Sequence, residues 1–236
     1  VSGYGEYCPV AKALEVLDER WTLLVVRELL LGSRHFNELR RGNPKMSPAL
    51  LSRRLRSLEK AGVLRREVGP TGRTAYVLTP AGEELSTVVE ALGVWATRWI
   101  GELGIEDLDP HLLLWDIRRT MPLTVWPPER TVLALEFSDV AGRAACWWIM
   151  VDHGEAQVCD YDPGFDIAAT VRTSLRTLTE VWRGNRSWAG ALEQRSIDVL
   201  GPVSVRREVP VWIGQSPLAA VPRPVRARGD RPPACP

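Results

Sequence analysis

No apolar run in this 236-residue chain is long enough to cross a bilayer: the best stretch, Leu23–Leu31, is broken by Arg27 and Glu28. Cysteine is sparse, and Cys8, Cys146, Cys159 and Cys235 never fall into a CxxC pair. That spacing argues against a zinc ribbon and against a disulfide scaffold. The three histidines, His35, His111 and His153, lie far apart, so the spacing proposes no metal site. GxSxG, P-loop and GxGxxG patterns are also missing, so neither catalytic residues nor a cofactor are expected, and no enzyme. The opening VSGYGEYC has no basic stretch followed by an apolar one, so no signal peptide is expected and the cytoplasm is the default location.

What is present is an ordinary globular composition with a local bias. Apolar residues make up 45% and charged residues 25%, enough for two cores in a chain of this length. The net charge of +1 hides an asymmetry. Between Arg27 and Arg73 stand 12 Lys/Arg against 4 Asp/Glu, whereas from Ile105 onward the count is 15 against 17. Cations concentrated in one short segment suit a phosphate-binding surface, although an isolated charge run is more often a solvated face.

The stretch Gly101–Pro110 reads as a linker, with helical patterns before it and short Val-, Ile- and Trp-rich strands after it. We therefore expect an α+β chain in three parts: residues 1–103, residues 104–214, and residues 215–236 as a disordered Pro/Arg-rich tail.

Cys8–Asp18 and Trp21–Leu31 have the apolar spacing of helices, the second apolar nearly all round, as a core helix is. Ser33–Arg41 predicts a short helix capped at Ser33 or Arg34. After the break at Gly42-Asn43-Pro44 comes SPALLSRRLRSLEKAG, residues 47–62. Ser47 is a good N-cap, Pro48 sits where its missing N–H costs nothing, and Gly62 can end the helix in the left-handed conformation. Leu51, Leu55 and Leu58 make a buried stripe. The opposite face carries Ala49, Ser52, Arg53 and Arg56, all small or cationic. A helix so divided can hold to its own domain by one stripe and enter a major groove with the other, with Ser47, Ala49, Ser52, Arg53 and Arg56 as the expected DNA contacts. With the short helix and turn before it, it predicts a helix-turn-helix.

Val63–Val68 and Thr74–Leu78 predict two strands around Gly69-Pro70-Thr71-Gly72-Arg73, a wing with a cation, Arg73, near its tip. Pro80 then opens a helix to Ile100 whose apolar residues, among them Leu85, Val88, Leu92, Trp95 and Trp99, recur close to every 3.5 residues. Such a stripe either closes its own core or pairs with a second copy. Two-fold DNA readers need the latter to space their half-sites.

From Cys8 to Trp99, the segments CPVAKALEVLDERWTLLVVRELLLGSRHFNELRR, MSPALLSRRLRSLEKAGVLRRE and YVLTPAGEEL resemble the HxlR-type winged-helix regulators. The resemblance implies a homodimer formed through terminal helices, bound to palindromic operators. The family often has a cysteine where Cys8 stands, and in some members it senses electrophiles or oxidants. Here a helix start and Lys12 favour a reactive thiol at Cys8, while Glu6 and the usual burial of cysteine favour an inert one.

In the second domain, Thr131–Ser138, Ala144–Asp152, Glu155–Tyr161 and Asp166–Thr173 predict four successive strands with antiparallel hairpins. Helices at Ser174–Arg183 and Trp188–Leu192 and a last strand through Ile197, Val199 and Val203 follow. The segment DIAATVRTSLRTLTEVWRGNRSWAGALEQRSIDVLGP resembles the sterol carrier protein-like domain, which implies an antiparallel sheet covered by helices around an apolar cavity. Seven of the ten tryptophans lie in this half. Each alone suits plain core packing, but as a set they suit a pocket for a hydrophobic or aromatic effector, for which Trp115, Trp126, Trp148, Met150 and Trp182 are the candidates. The function expected is a dimeric DNA-binding transcriptional regulator, a repressor, with a small-molecule-sensing domain. The alternative is a lipid or hydrophobic-ligand carrier whose winged helix serves protein interaction.

Overall fold

The computed structural model describes residues 3–70, 72–100 and 103–224. It divides into two compact units, Val1–Trp95 and Ala96–Pro236. Among the described residues no helix is long and apolar enough to cross a membrane, and no group of three His, Cys, Asp or Glu could hold a metal ion.

The first unit contains α1 (Pro9–Leu17), α2 (Thr22–Leu30), α3 (Phe36–Gly42), α4 (Pro48–Lys60), the antiparallel pair β1 (Leu64–Val68) and β2 (Thr74–Leu78), and most of α5 (Pro80–Trp99). Its core is built from Val25, Val26 and Leu29 of α2, Leu39 of α3, and Leu51, Leu55 and Leu58 of α4, closed by Val63, Leu64 and Leu78. This is a winged helix-turn-helix. The helix bounds fall within about two residues of those expected from spacing, the usual uncertainty of helix ends.

The cap of α3 departs from expectation. Neither Ser33 nor Arg34 caps it; His35 does. Ser33 instead turns inward, where its hydroxyl donates to the Glu28 carboxylate at 3.3 Å. Glu28 is fully buried. The sequence offers it only as a break in an apolar run, but the fold uses it as a polar anchor beneath α3.

The second unit is a five-stranded sheet in the order β5-β4-β3-β6-β7, from β3 (Thr131–Phe137), β4 (Cys146–Asp152), β5 (Glu155–Cys159), β6 (Ile167–Thr173) and β7 (Ile197–Leu200). The four successive strands exist, but the sheet is mixed rather than antiparallel: β6 lies parallel to β3. The segment after β5 carries the chain back across β4 and β3, so β6 joins the free edge of β3 instead of extending the meander.

Side chains of one sheet face, including Leu133, Leu135, Trp147, Ile149 and Val171, pack under α6 (Pro110–Thr120), α7 (Leu175–Trp182), α8 (Trp188–Glu193) and α9 (Val203–Ile213). α6 begins inside the expected linker, with Asp109 as its cap, accepting from Leu112 N at 3.1 Å. Gly101 and Glu102 of that linker lie outside the described residues. Val203, expected in the last strand, opens α9 instead.

The tail departs from expectation as well. Between 215 and 224 the chain is docked rather than loose: Ser216 N donates to Trp182 O at 2.8 Å, and the Arg223 guanidinium donates to Gly184 O at 3.2 Å and Arg183 O at 2.8 Å. These bonds take up carbonyls that the end of α7 leaves unsatisfied. Residues 225–236, the rest of the expected tail, lie outside the described residues.

Candidate nucleic-acid interface

α4 forms where Ser47 and Pro48 start it: the Ser47 hydroxyl accepts from Leu50 N at 3.3 Å, and Pro48 takes the first helical position. Gly62, at φ 74°, closes it in the left-handed region. With Leu51, Leu55 and Leu58 buried, Ala49, Arg53 and Arg56 are exposed and Ser52 is half-buried at the face between them. The spacing of Ala49, Ser52, Arg53 and Arg56 puts all four on one side of the helix. Arg53 and Arg56 have no ion pair among the described residues, so both guanidiniums are available to an acceptor outside the protein.

Not every arginine of α4 faces outward. Arg54 is buried; its Nε donates to Arg20 O at 3.1 Å and its guanidinium pairs with Glu19. It ties α4 to the turn before α2; helical spacing puts Arg54 on the same side as Leu51, Leu55 and Leu58, apart from Arg53 and Arg56.

The wing is held against the start of α3. Tyr76 N donates to Arg34 O at 2.8 Å, and His35 Nδ1 lies 2.9 Å from Thr74 O. Glu38 folds back on the same point, its Oε2 accepting from Arg34 N at 2.8 Å and His35 N at 3.0 Å. Burial pushes the Glu38 carboxyl up, but those two N–H groups and the nearby His35 and Arg73 charges outweigh it and hold the carboxyl below its ordinary range. This clamp was missed in the sequence, although the spacing of His35 and Glu38, three apart at a helix start, could have shown it. Arg65 and Arg66 are paired with Glu67 and Glu59. Arg73, by contrast, is exposed beyond the wing strands. Thr71, at the expected tip, lies outside the described residues.

On α5, Leu85 is half-buried against the core of the first unit, while Val88, Leu92, Trp95 and Trp99 are exposed. The five therefore divide between anchoring the helix and forming an outward apolar stripe. Cys8 is half-buried at the start of α1, and the cation nearest in sequence, Lys12, is engaged by Glu15 at 2.9 Å.

The five residues expected around a ligand do not converge on one wall. Trp115 and Trp126 are buried on the helix-covered side, Trp126 stacked on Trp212 at 4.9 Å with its Nε1 bonded to Trp212 O at 3.0 Å. Trp182 packs against the same core. Trp148 and Met150 alternate with the core residues of β4 and so stand on the other face of the sheet.

The model of the HxlR-like helix-turn-helix family matches residues 16–103. A relative from Bacillus subtilis, the uncharacterized HTH-type transcriptional regulator YvaP, is 41% identical over 98 residues, covering 40% of this chain and 91% of that protein. The uncharacterized HTH-type transcriptional regulator sll1512 of Synechocystis is 35% identical over 104 residues, 43% of this chain and 77% of that one. Among solved structures, the reduced form of the transcriptional regulator YodB from B. subtilis is 29% identical over 41% of this chain and 97% of that chain, with a TM-score of 0.37. The family model's match takes in α3, α4, the wing and α5, and with the 41% identity to YvaP over 91% of that protein it shows that the chain belongs to the HxlR-like helix-turn-helix family.

Proposed function

We propose that the protein is a sequence-specific DNA-binding transcriptional regulator that works as a homodimer and represses from palindromic sites. α4 enters the major groove, Arg53 and Arg56 donate to base edges or phosphates, and the wing carries Arg73 to the backbone. The observation that carries this reading is the division of α4: three leucines inward, two unpaired arginines outward. The names of the relatives, HTH-type transcriptional regulators, support it. The stripe Val88, Leu92 and Trp95 supplies the seam for a second copy, which spaces two recognition helices on one face of the duplex. The second unit, read as a sterol carrier protein-like domain, senses a hydrophobic small molecule. A ligand there changes DNA affinity to the extent that it binds one arrangement of the dimer better than another.

The test is to select bound fragments from the source genome and titrate the recovered operator across salt concentrations. Log affinity should fall linearly and steeply with log salt. Arg53→Ala or Arg56→Ala should weaken operator binding by about 1–3 kcal/mol. Arg73→Ala should weaken all sequences about equally. Unchanged operator affinity in all three variants would refute this docking.

A further inference from the structure

The second unit contains a solvent-open cleft of 720 Å³ where β7 meets α8 and α9. None of the five residues expected around a ligand lines it. Its apolar wall is formed by Leu192, Val203 and Pro210, and Val203, in the first turn of α9, is 55% exposed there. Around this wall stand three cations, Arg195, Arg206 and Arg207, and one carboxylate, Asp198. The three arginines have no ion-pair partner among the described residues, Asp198 included. Two arginines at the sheet, by contrast, are matched: Arg172 pairs with Glu136, and Arg130 with Asp152.

Arg195 occupies an unusual place. It stands just past the end of α8 at φ 53°, its N–H bonded to Leu192 O at 3.0 Å, while Ser196 N bonds to Ala191 O at 2.9 Å. That pair of bonds closes a helix around a left-handed residue, normally glycine. At the ends of α4 and α7 this chain uses Gly62 and Gly184 for it. An arginine here adds backbone strain and places one more guanidinium on the cleft, the kind of local cost that functional sites retain.

An apolar wall with unmatched cations above it is complementary to a molecule with an apolar body and a compact negative group. We propose that this cleft binds a small organic acid, its hydrocarbon part against Leu192, Val203 and Pro210 and its carboxylate held by Arg195, Arg206 and Arg207. The planar donor fork of arginine matches a carboxylate. The wall removes hydrocarbon from water, and Asp198 disfavours ligands carrying a second acidic group on its side. The inference rests on the reading of the second unit as a ligand sensor and gives that ligand a chemical class. Binding itself is independent of the operator.

Isothermal titration calorimetry of the full chain without DNA tests it, using octanoate with 1-octanol and acetate as comparisons. Octanoate should bind with a sub-millimolar Kd, and the neutral alcohol and the chain-less acid at least about tenfold more weakly. The Arg206→Gln/Arg207→Gln double variant should lose at least about tenfold in octanoate affinity with its Tm unchanged. Arg195→Gly should raise the Tm, by relieving the left-handed strain, and still weaken octanoate. No saturable binding up to about 10 mM octanoate, equal binding of 1-octanol, or unchanged affinity in both variants would overturn the proposal. So would a double variant that keeps octanoate affinity but loses affinity for random-sequence duplex, since the cations would then be phosphate contacts. The Arg53, Arg56 and Arg73 titrations read DNA binding separately, so failure here leaves that reading standing and the reverse.

Discussion

Arg54 and Glu19, thirty-five residues apart, form an ion pair that fastens α4 to the turn before α2, and the same guanidinium donates its Nε to Arg20 O at 3.1 Å. The neighbouring Arg53 is exposed and unpaired among the described residues. One peptide unit thus separates a structural arginine from one free to meet DNA.

The two should part company experimentally. Arg54→Ala leaves Arg20 O without its donor inside the fold and is expected to lower stability by about 1.5–3 kcal/mol, the range for hydrogen bonds to charged groups. Arg54→Lys should recover only part of this, because an ammonium cannot make both contacts in the same plane. Arg53→Ala should change stability by less than about 0.5 kcal/mol while weakening operator binding. Urea unfolding of the three variants, paired with operator titrations, checks the assignment. Equal destabilisation by Arg53→Ala and Arg54→Ala would sink it.

Gly42 gives a prediction with an inverted sign. Replacing glycine with alanine inside a helix usually stabilises it, because glycine loses more backbone freedom on folding. At Gly42 in α3 an added Cβ would overlap the Glu28 carboxylate, which is fully buried and held by Arg27 at 3.0 Å and Ser33 at 3.3 Å. Gly42→Ala is expected to cost about 1–3 kcal/mol as an overpacked site. Thermal unfolding reads it, and a Tm equal to or above that of the parent would show that Glu28 has room to move.

The first unit was legible because its signals are local. Ser47-Pro48 and Gly62 mark both ends of α4, and the leucine spacing fixes which side is buried. The wing strands are adjacent in sequence and joined by a turn rich in glycine and proline. The second unit depends on longer-range facts. Nothing in the residues of β6 says that it will lie parallel to β3, since the pairing is decided by how the 160–166 segment crosses the sheet. α9 was missed because Val203 reads as the end of a strand with Ile197 and Val199, and Pro210 inside the helix gives no local helical signal. α6 was readable but missed: Asp109-Pro110 repeats the cap-and-proline pattern of Ser47-Pro48. On α4 itself, spacing places Arg54 on the leucine side and Arg53 and Arg56 opposite, but it could not name Glu19, thirty-five residues away, as the partner of Arg54.

The α5 stripe predicts an oligomeric state. Leu92 and Trp95 are exposed and contribute little to their own unit, so charge there should break a seam without unfolding a core. Trp95→Glu is expected to convert a dimer to a monomer at micromolar concentration and to lower operator affinity at least about tenfold, since one recognition helix is then lost from each binding event. Sedimentation velocity and operator titration of parent and variant measure both. A parent protein that sediments as a monomer at tens of micromolar would rule out this seam.

Glu38 makes the interface pH-sensitive in a defined direction. Its carboxylate accepts from Arg34 N and His35 N, and the same two residues hold β2: Arg34 O accepts from Tyr76 N, and the His35 ring Nδ1 lies 2.9 Å from Thr74 O. Because the two N–H groups and nearby cations keep its pKa low, despite the upward push of burial, the folded state prefers the ionised form more than the unfolded chain does. The stability it contributes is therefore fully present at neutral pH. It is lost as pH falls from the ordinary glutamate value, about 4.3, through the lower folded value. Glu38→Gln keeps a carbonyl acceptor but removes the charge, so at pH 7 it should cost about 0.5–1 kcal/mol, kept small by solvent screening of a partly exposed group. At pH well below 4 parent and variant should converge, because both then carry a neutral side chain. Urea unfolding of the pair at neutral and acid pH decides it. A stability gap that stayed constant or widened on acidification would mean that the charge of Glu38 does not hold the wing to α3.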